Sequence, residues 1–221
     1  MIDVDTLLAW GAAYKKLLAE EIIFSEGMQS NFYYQLVSGR VRWVNINEEG
    51  KETIQEICEP GDCFGELPLF DDGPFAATAI ACTDTIVLRL HKSTFLQLIH
   101  ENPEIHLSFS RLLAGRVRFK FMIQKEMSCH HPEHNISALF KHFKNTQTHI
   151  SLNYNMVTLT RQEIANMVGL RVETVIRVIR GLQDRGELYI EKGKVYLICD
   201  SDHNGRKPVA VTLEKQAAVL V

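Results

Sequence analysis

Glu173, Arg177 and Arg180 stand at i, i+4 and i+7 in a stretch where Val175, Ile179 and Leu182 repeat the same spacing. On an α-helix this places two arginines and a glutamate outward and an apolar stripe inward. Such a face can hydrogen-bond base edges: a guanidinium spans guanine O6 and N7, and a carboxylate accepts from cytosine N4. Arg161 and Arg171 open the two helices of this stretch, at positions suited to phosphates. Thr160, Gln162, Thr174 and the wing residue Lys192 complete the candidate DNA-contacting set.

Other constellations are weaker. The five cysteines (Cys58, Cys63, Cys82, Cys129, Cys199) are scattered and form no C-x-x-C pair, so reduced thiols are expected. Cys129-His-His-Pro-Glu-His134 holds metal-ligating types, but Pro132 breaks any helical register and no matching second cluster exists. It reads as a hinge, and no metal is expected. No nucleophile–base pattern is present either, so the chain is not read as an enzyme.

The elements that must position the reading face are legible. Thr160 and Glu163 form a capping box that starts a helix. Gly169 falls where the turn to the next helix needs a left-handed residue. The second helix is predicted from about Val172 to Arg185, stopping at Gly186. A hairpin, Leu188–Ile190 and Lys194–Ile198 around Lys192-Gly193, follows as a basic wing. Helix, turn, helix and hairpin present one exposed helix to a major groove.

Upstream, Glu21 to Leu90 has strand texture, with turns at Gly27, Gly39, Gly50, Gly61 and Gly73 recurring every 11 to 12 residues. That punctuation is typical of an antiparallel roll. At Asn102-Pro103 the period becomes helical, and Ile105, Phe109, Leu112, Leu113, Val117, Phe121 and Met122 form a stripe to about Met127. A helix roughly 37 Å long outruns a small roll, so Phe109, Leu113 and Val117 are predicted to face a second copy. The predicted fold is α+β: a β-roll sensor over 1–102, a dimerisation helix over 103–128 and a hinge over 129–135. A winged helix-turn-helix over 136–199, opening on a helix from Ile136 to Phe143, and a tail over 200–221 of no assigned role complete it.

Charge separates the halves. Residues 1–104 hold 7 Lys and Arg against 17 Asp and Glu, and residues 105–221 hold 17 against 10. Only the second half is suited to a polyanion. The 221-residue length suits two domains, and 46% apolar with 23% charged residues is ordinary for a globular protein. No apolar run approaches the ~20 residues of a membrane span, so a cytoplasmic, non-membrane location is expected.

Two motifs together resemble the CRP/FNR transcription regulators over roughly residues 15–199. One is Pro60-Gly-Asp-Cys-Phe-Gly-Glu-Leu-Pro-Leu-Phe70, similar to the family's phosphate-binding cassette; the other is Thr160-Arg-Gln-Glu163 with Gly169 and Glu173-Thr174…Arg177. The resemblance implies a homodimer on a two-fold-related site in double-stranded DNA, acting as an activator in contact with RNA polymerase. It also implies an effector pocket at Phe64, Gly65, Glu66, Leu67, Ala76 and Ala77. In cyclic-nucleotide-binding members an Arg-Ser or Arg-Thr pair neutralises the phosphate, yet Ala76-Ala77 stand there. Between Lys51 and Arg89 there is no Lys or Arg, only eight Asp or Glu. Burying a phosphate without a cation costs several kcal/mol, so cyclic AMP in its usual pose is not expected unless the long helix supplies an arginine. The first cysteine is Cys58, so the N-terminal iron–sulfur cluster of oxygen-sensing members is not expected. His91 and His100 read as surface residues rather than haem ligands. No cofactor is assigned, and the small-molecule effector is left open. Val172-Glu173-Thr174…Arg177 is closer to FNR and implies a TTGA-type half-site, although Ile176 replaces a serine of that pattern. The competing reading is a ligand-binding or protein-interaction module whose winged helix no longer reads DNA.

Overall fold

The computed structural model describes residues 1–128, 131–151 and 154–198. The chain divides into two compact units, Met1–Lys120 and Phe121 onward.

The first unit runs α1 (Val4–Ala9), β1 (Ala13–Leu17), β2 (Ile22–Phe24), β3 (Phe32–Ser38), β4 (Val41–Ile46), β5 (Glu52–Cys58) and β6 (Cys63–Phe64). It continues through α2 (Leu67–Asp71), β7 (Thr78–Ala81), β8 (Thr85–His91), α3 (Lys92–Glu101) and the start of α4 (Pro103–Ser128). Two four-stranded antiparallel sheets, β1-β8-β3-β6 and β2-β7-β4-β5, share one core containing Phe24, Tyr34, Leu36, Trp43, Phe64 and Val87. Period-two alternation in β3 fills two cores at once. Tyr34 and Leu36 enter the roll, whereas Tyr33 joins Leu7, Leu90, Phe95 and Phe109 in a second core.

Two features differ from the sequence reading. The N-terminal residues form α1, whose Asp3 caps the Thr6 amide at 3.0 Å and whose Leu7 is fully buried. Phe109, expected to face a second copy, is 1% exposed and lies 5.3 Å from the Phe95 ring and 5.9 Å from Tyr33. Its helical neighbours Ile105 and Leu112 pack against the same cluster. The helix therefore spends one face on its own roll.

The second unit contains α5 (Pro132–Thr146), β9 (Ile150–Ser151), β10 (Met156–Val157), α6 (Arg161–Val168), α7 (Val172–Asp184), β11 (Leu188–Glu191) and β12 (Lys194–Leu197). α5 starts at Pro132 rather than Ile136, because a proline is well suited to a first helical position. Glu133 in its first turn pairs with Arg185 at 2.6 Å. Residues 132–135 of the expected hinge are thus helical. Of the histidine-rich segment, Cys129 and His130 lie outside the described residues, as does the tail from Cys199.

Candidate functional site

The start of α6 is fixed by reciprocal bonds. The Glu163 amide donates to Thr160 Oγ1 at 3.1 Å, and the Thr160 amide donates to Glu163 Oε2 at 2.7 Å. Gly169 ends the helix at φ 68°, a left-handed conformation that costs a glycine little. A Cβ there would also come within 2.9 Å of Met127 Cε. Ala165 is fully buried, and α7 buries Val175, Ile179 and Leu182 at 0–2% exposure.

The opposite side of α7 presents Glu173, Arg177 and Arg180, all exposed, along an open groove that Ile176, Gly181 and Asp184 also line. Glu173 and Arg177 make no ion pair with each other among the described residues. Both are free for an external partner. Arg171 caps α7 without a side-chain bond and is exposed. Thr160 and Gln162 are exposed, Thr174 is half-buried, and Gln162 Nε2 donates to Asn166 at 2.8 Å.

The wing turns on Lys192 and Gly193, at φ 47° and 77°, the two consecutive left-handed residues of a type I′ hairpin. Tyr189 and Tyr196 stack across it at 4.6 Å. Arg161, at the start of α6 as expected, donates from Nη2 to the Gly193 carbonyl at 3.3 Å, and burial lowers its pKa. It ties the wing turn to the first helix. Lys194, the other lysine of the wing turn, is exposed beside Lys192.

In the first unit, the motif around Gly65-Glu66 closes on itself. Gly65 has φ 66°, and a Cβ would lie 2.5 Å from Phe24 and 3.0 Å from Phe75. Phe24 and Phe75 stack at 3.7 Å with rings 8° apart, and Phe64 and Tyr34 join them. Leu67 packs against this cluster. Ala77 is 2% exposed and its carbonyl accepts from Trp43 Nε1 at 3.0 Å; the exposed Ala76 accepts from Asn45 at 2.8 Å.

Glu66 is fully buried, and its partner comes from α4: Arg116 Nη1 lies 2.6 Å from Glu66 Oε2. Arg116 Nη2 donates to the Cys63 carbonyl at 2.9 Å, and the guanidinium lies 5.8 Å from the Trp43 ring. Burial works against the Arg116 charge, but Glu66 pushes its pKa above the usual value. One turn on, Lys120 Nζ donates to the Gln55 carbonyl at 2.8 Å and to its Oε1 at 2.6 Å. The long helix does bring an arginine to the pocket, the condition under which the sequence left cyclic AMP open, and there it pairs with Glu66. Burial raises the thiol pKa of both Cys58 and Cys63, which keeps them protonated and unreactive. No group of three or more potential ligands that could hold a metal occurs among the described residues.

A double-sheet roll closed by a long helix, together with a winged helix-turn-helix bearing unpaired arginines, defines a sensor-type DNA-binding transcription regulator. Residues 14–102 match the cyclic nucleotide-binding domain family and residues 137–203 the Crp-like helix-turn-helix domain family. The chain is 30% identical over 190 residues to the CRP-like cAMP-activated global transcriptional regulator of Mycobacterium tuberculosis, covering 84% of this chain and 83% of that one. The cyclic AMP receptor protein of Thermus thermophilus is 28% identical over 184 residues, 78% of each chain. FixK2 from Bradyrhizobium japonicum shares the fold, with a TM-score of 0.71 and 22% identity over 86% of this chain and 94% of that one. The chain belongs to the CRP/FNR family of transcription regulators, and is not an enzyme.

Proposed function

We propose that the protein is a homodimeric, sequence-specific activator that lays α7 into successive major grooves and contacts RNA polymerase from its DNA-bound position. The observation that carries this reading is the outward face of α7: Glu173, Arg177 and Arg180 exposed and unpaired above a buried Val175, Ile179 and Leu182. Base readers need such freedom, because a guanidinium already committed to a carboxylate must break that pair before it can bind guanine. Arg171, Lys192 and Lys194 flank this face as phosphate contacts, and half-sites should lie roughly 34 Å apart. No described helix is long and apolar enough to cross a membrane, and we place the protein with its DNA target in the cytoplasm.

The test is a binding-site selection on wild type, Arg177→Ala and Arg171→Ala at two salt concentrations. Arg177→Ala should lose about 1–3 kcal/mol on the selected site, little on random duplex, and relax one guanine per half-site. Arg171→Ala should weaken both duplexes alike and lower the salt slope by about 1. If Arg177→Ala leaves the selected motif unchanged, α7 does not read through this residue.

We further infer an effector other than cyclic AMP in the pose used by nucleotide-binding relatives. Ala76-Ala77 supply no cation, Arg116 is held by Glu66, and Phe24 and Phe75 stack against Gly65. Calorimetry with millimolar cyclic AMP should give no binding heat; micromolar affinity would contradict this reading.

A further inference from the structure

Ile176 is set apart from the other isoleucine and leucine side chains of α7. Ile179 and Leu182 are 0–2% exposed, whereas Ile176 is half-buried and lines the groove with Glu173, Arg177 and Arg180. Three residues from Glu173 and four from Arg180, it shares their side of the helix. A β-branched side chain with one strongly preferred rotamer thus stands among the groups suited to base edges. It can neither donate nor accept a hydrogen bond. The apolar feature that the major groove offers is the thymine C5-methyl group.

We propose that Ile176 reads a thymine C5-methyl next to the base pair engaged by Arg177, fixing one thymine per half-site. The proposal rests on α7 being the DNA-reading helix. Contact between the two aliphatic groups removes both from water, and one methyl is worth about a fourfold change in affinity. Cytosine at that position is rejected more strongly than the missing methyl alone requires. Its N4 amino donor would face an aliphatic chain and lose the water it bonds to. A serine at this position would accept from that amino group, so Ile176 narrows the choice of base.

The experiment isolates the methyl group. Full-length protein is titrated by fluorescence anisotropy against its selected duplex, with each thymine replaced in turn by deoxyuridine. One position per half-site should show a loss of about fourfold with wild type. Ile176→Val should keep that loss, and Ile176→Ala should bind the thymine and deoxyuridine duplexes equally. A flat deoxyuridine profile with wild type overturns the proposal, as does an unchanged loss in Ile176→Ala; in both cases α7 remains the reading helix. Failure of the wild-type protein to select any sequence overturns both readings together.

Discussion

Arg116→Met should destabilise the first unit by about 3–5 kcal/mol, the cost of leaving a buried charge without its partner. Glu66 is fully buried, and apart from the ion pair neither of its oxygens accepts a hydrogen bond among the described residues. Removing the guanidinium also frees the Cys63 carbonyl, which accepts from Arg116 at 2.9 Å. The double variant Glu66→Leu, Arg116→Met removes both charges and should recover most of the loss, since apolar replacement of a buried pair is often neutral or stabilising. Both tryptophans, Trp10 and Trp43, lie in the first unit, so urea unfolding followed by tryptophan fluorescence reports that unit alone. A loss under about 1 kcal/mol for the single variant, the scale of an exposed pair, would mean that Glu66 is not committed to Arg116.

That pair also marks where sequence reasoning stopped. Glu66 was legible as a pocket residue from its motif, but its partner stands fifty residues away on another element. Charge counting finds that Lys51 to Arg89 lacks cations and leaves room for an arginine from the long helix, but it cannot see that Arg116 is that residue or that Glu66 pairs with it. The aromatic filling was hidden for a similar reason. Phe24 and Phe75 are ordinary core residues in their own strand and loop, and only the closing of the two sheets stacks them over Gly65. By contrast, α6 and α7 were legible almost to the residue, because their signals are local: the Thr160–Glu163 cap, Gly169 and the Val175, Ile179, Leu182 spacing. The bond from Arg161 to the Gly193 carbonyl was not legible, because the wing turn lies far along the chain from it.

The apolar stripe of α4 blended two faces into one, and separating them yields the second large effect. Ile105, Phe109, Leu112, Arg116 and Phe119 turn toward the roll and are buried or half-buried. Leu107, Ser110, Ala114, Val117 and Phe121 lie on the other side, all exposed, at alternating intervals of three and four. That interval is the heptad spacing of a helix pair, with small residues at two positions where two backbones can approach. Val117 is 51% exposed and Phe121 66%, a large apolar area to leave in water. Leu113, on the flank, is half-buried, so it is a poorer probe of the interface than either.

Val117→Glu with Phe121→Glu should therefore convert the protein from dimer to monomer in sedimentation, while its helical content stays unchanged. In the proposed dimer, four carboxylates would face one another across the axis, and the apolar contact between the helices would be gone. Each monomer keeps a complete α6–α7 reading head, so phosphate-driven binding to random duplex should fall only modestly. Binding to the two-half-site operator should drop by about 10²–10⁴-fold, because the second half-site is no longer delivered at high effective concentration. The salt slope should fall by about half as the number of phosphate contacts per complex halves. Phe109→Glu is the contrasting control: it should unfold the roll, since that side chain sits among Tyr33, Phe70 and Phe95. A Val117→Glu, Phe121→Glu protein that still sediments as a dimer with full operator affinity would show that the copies meet elsewhere, and that this exposed face serves another partner.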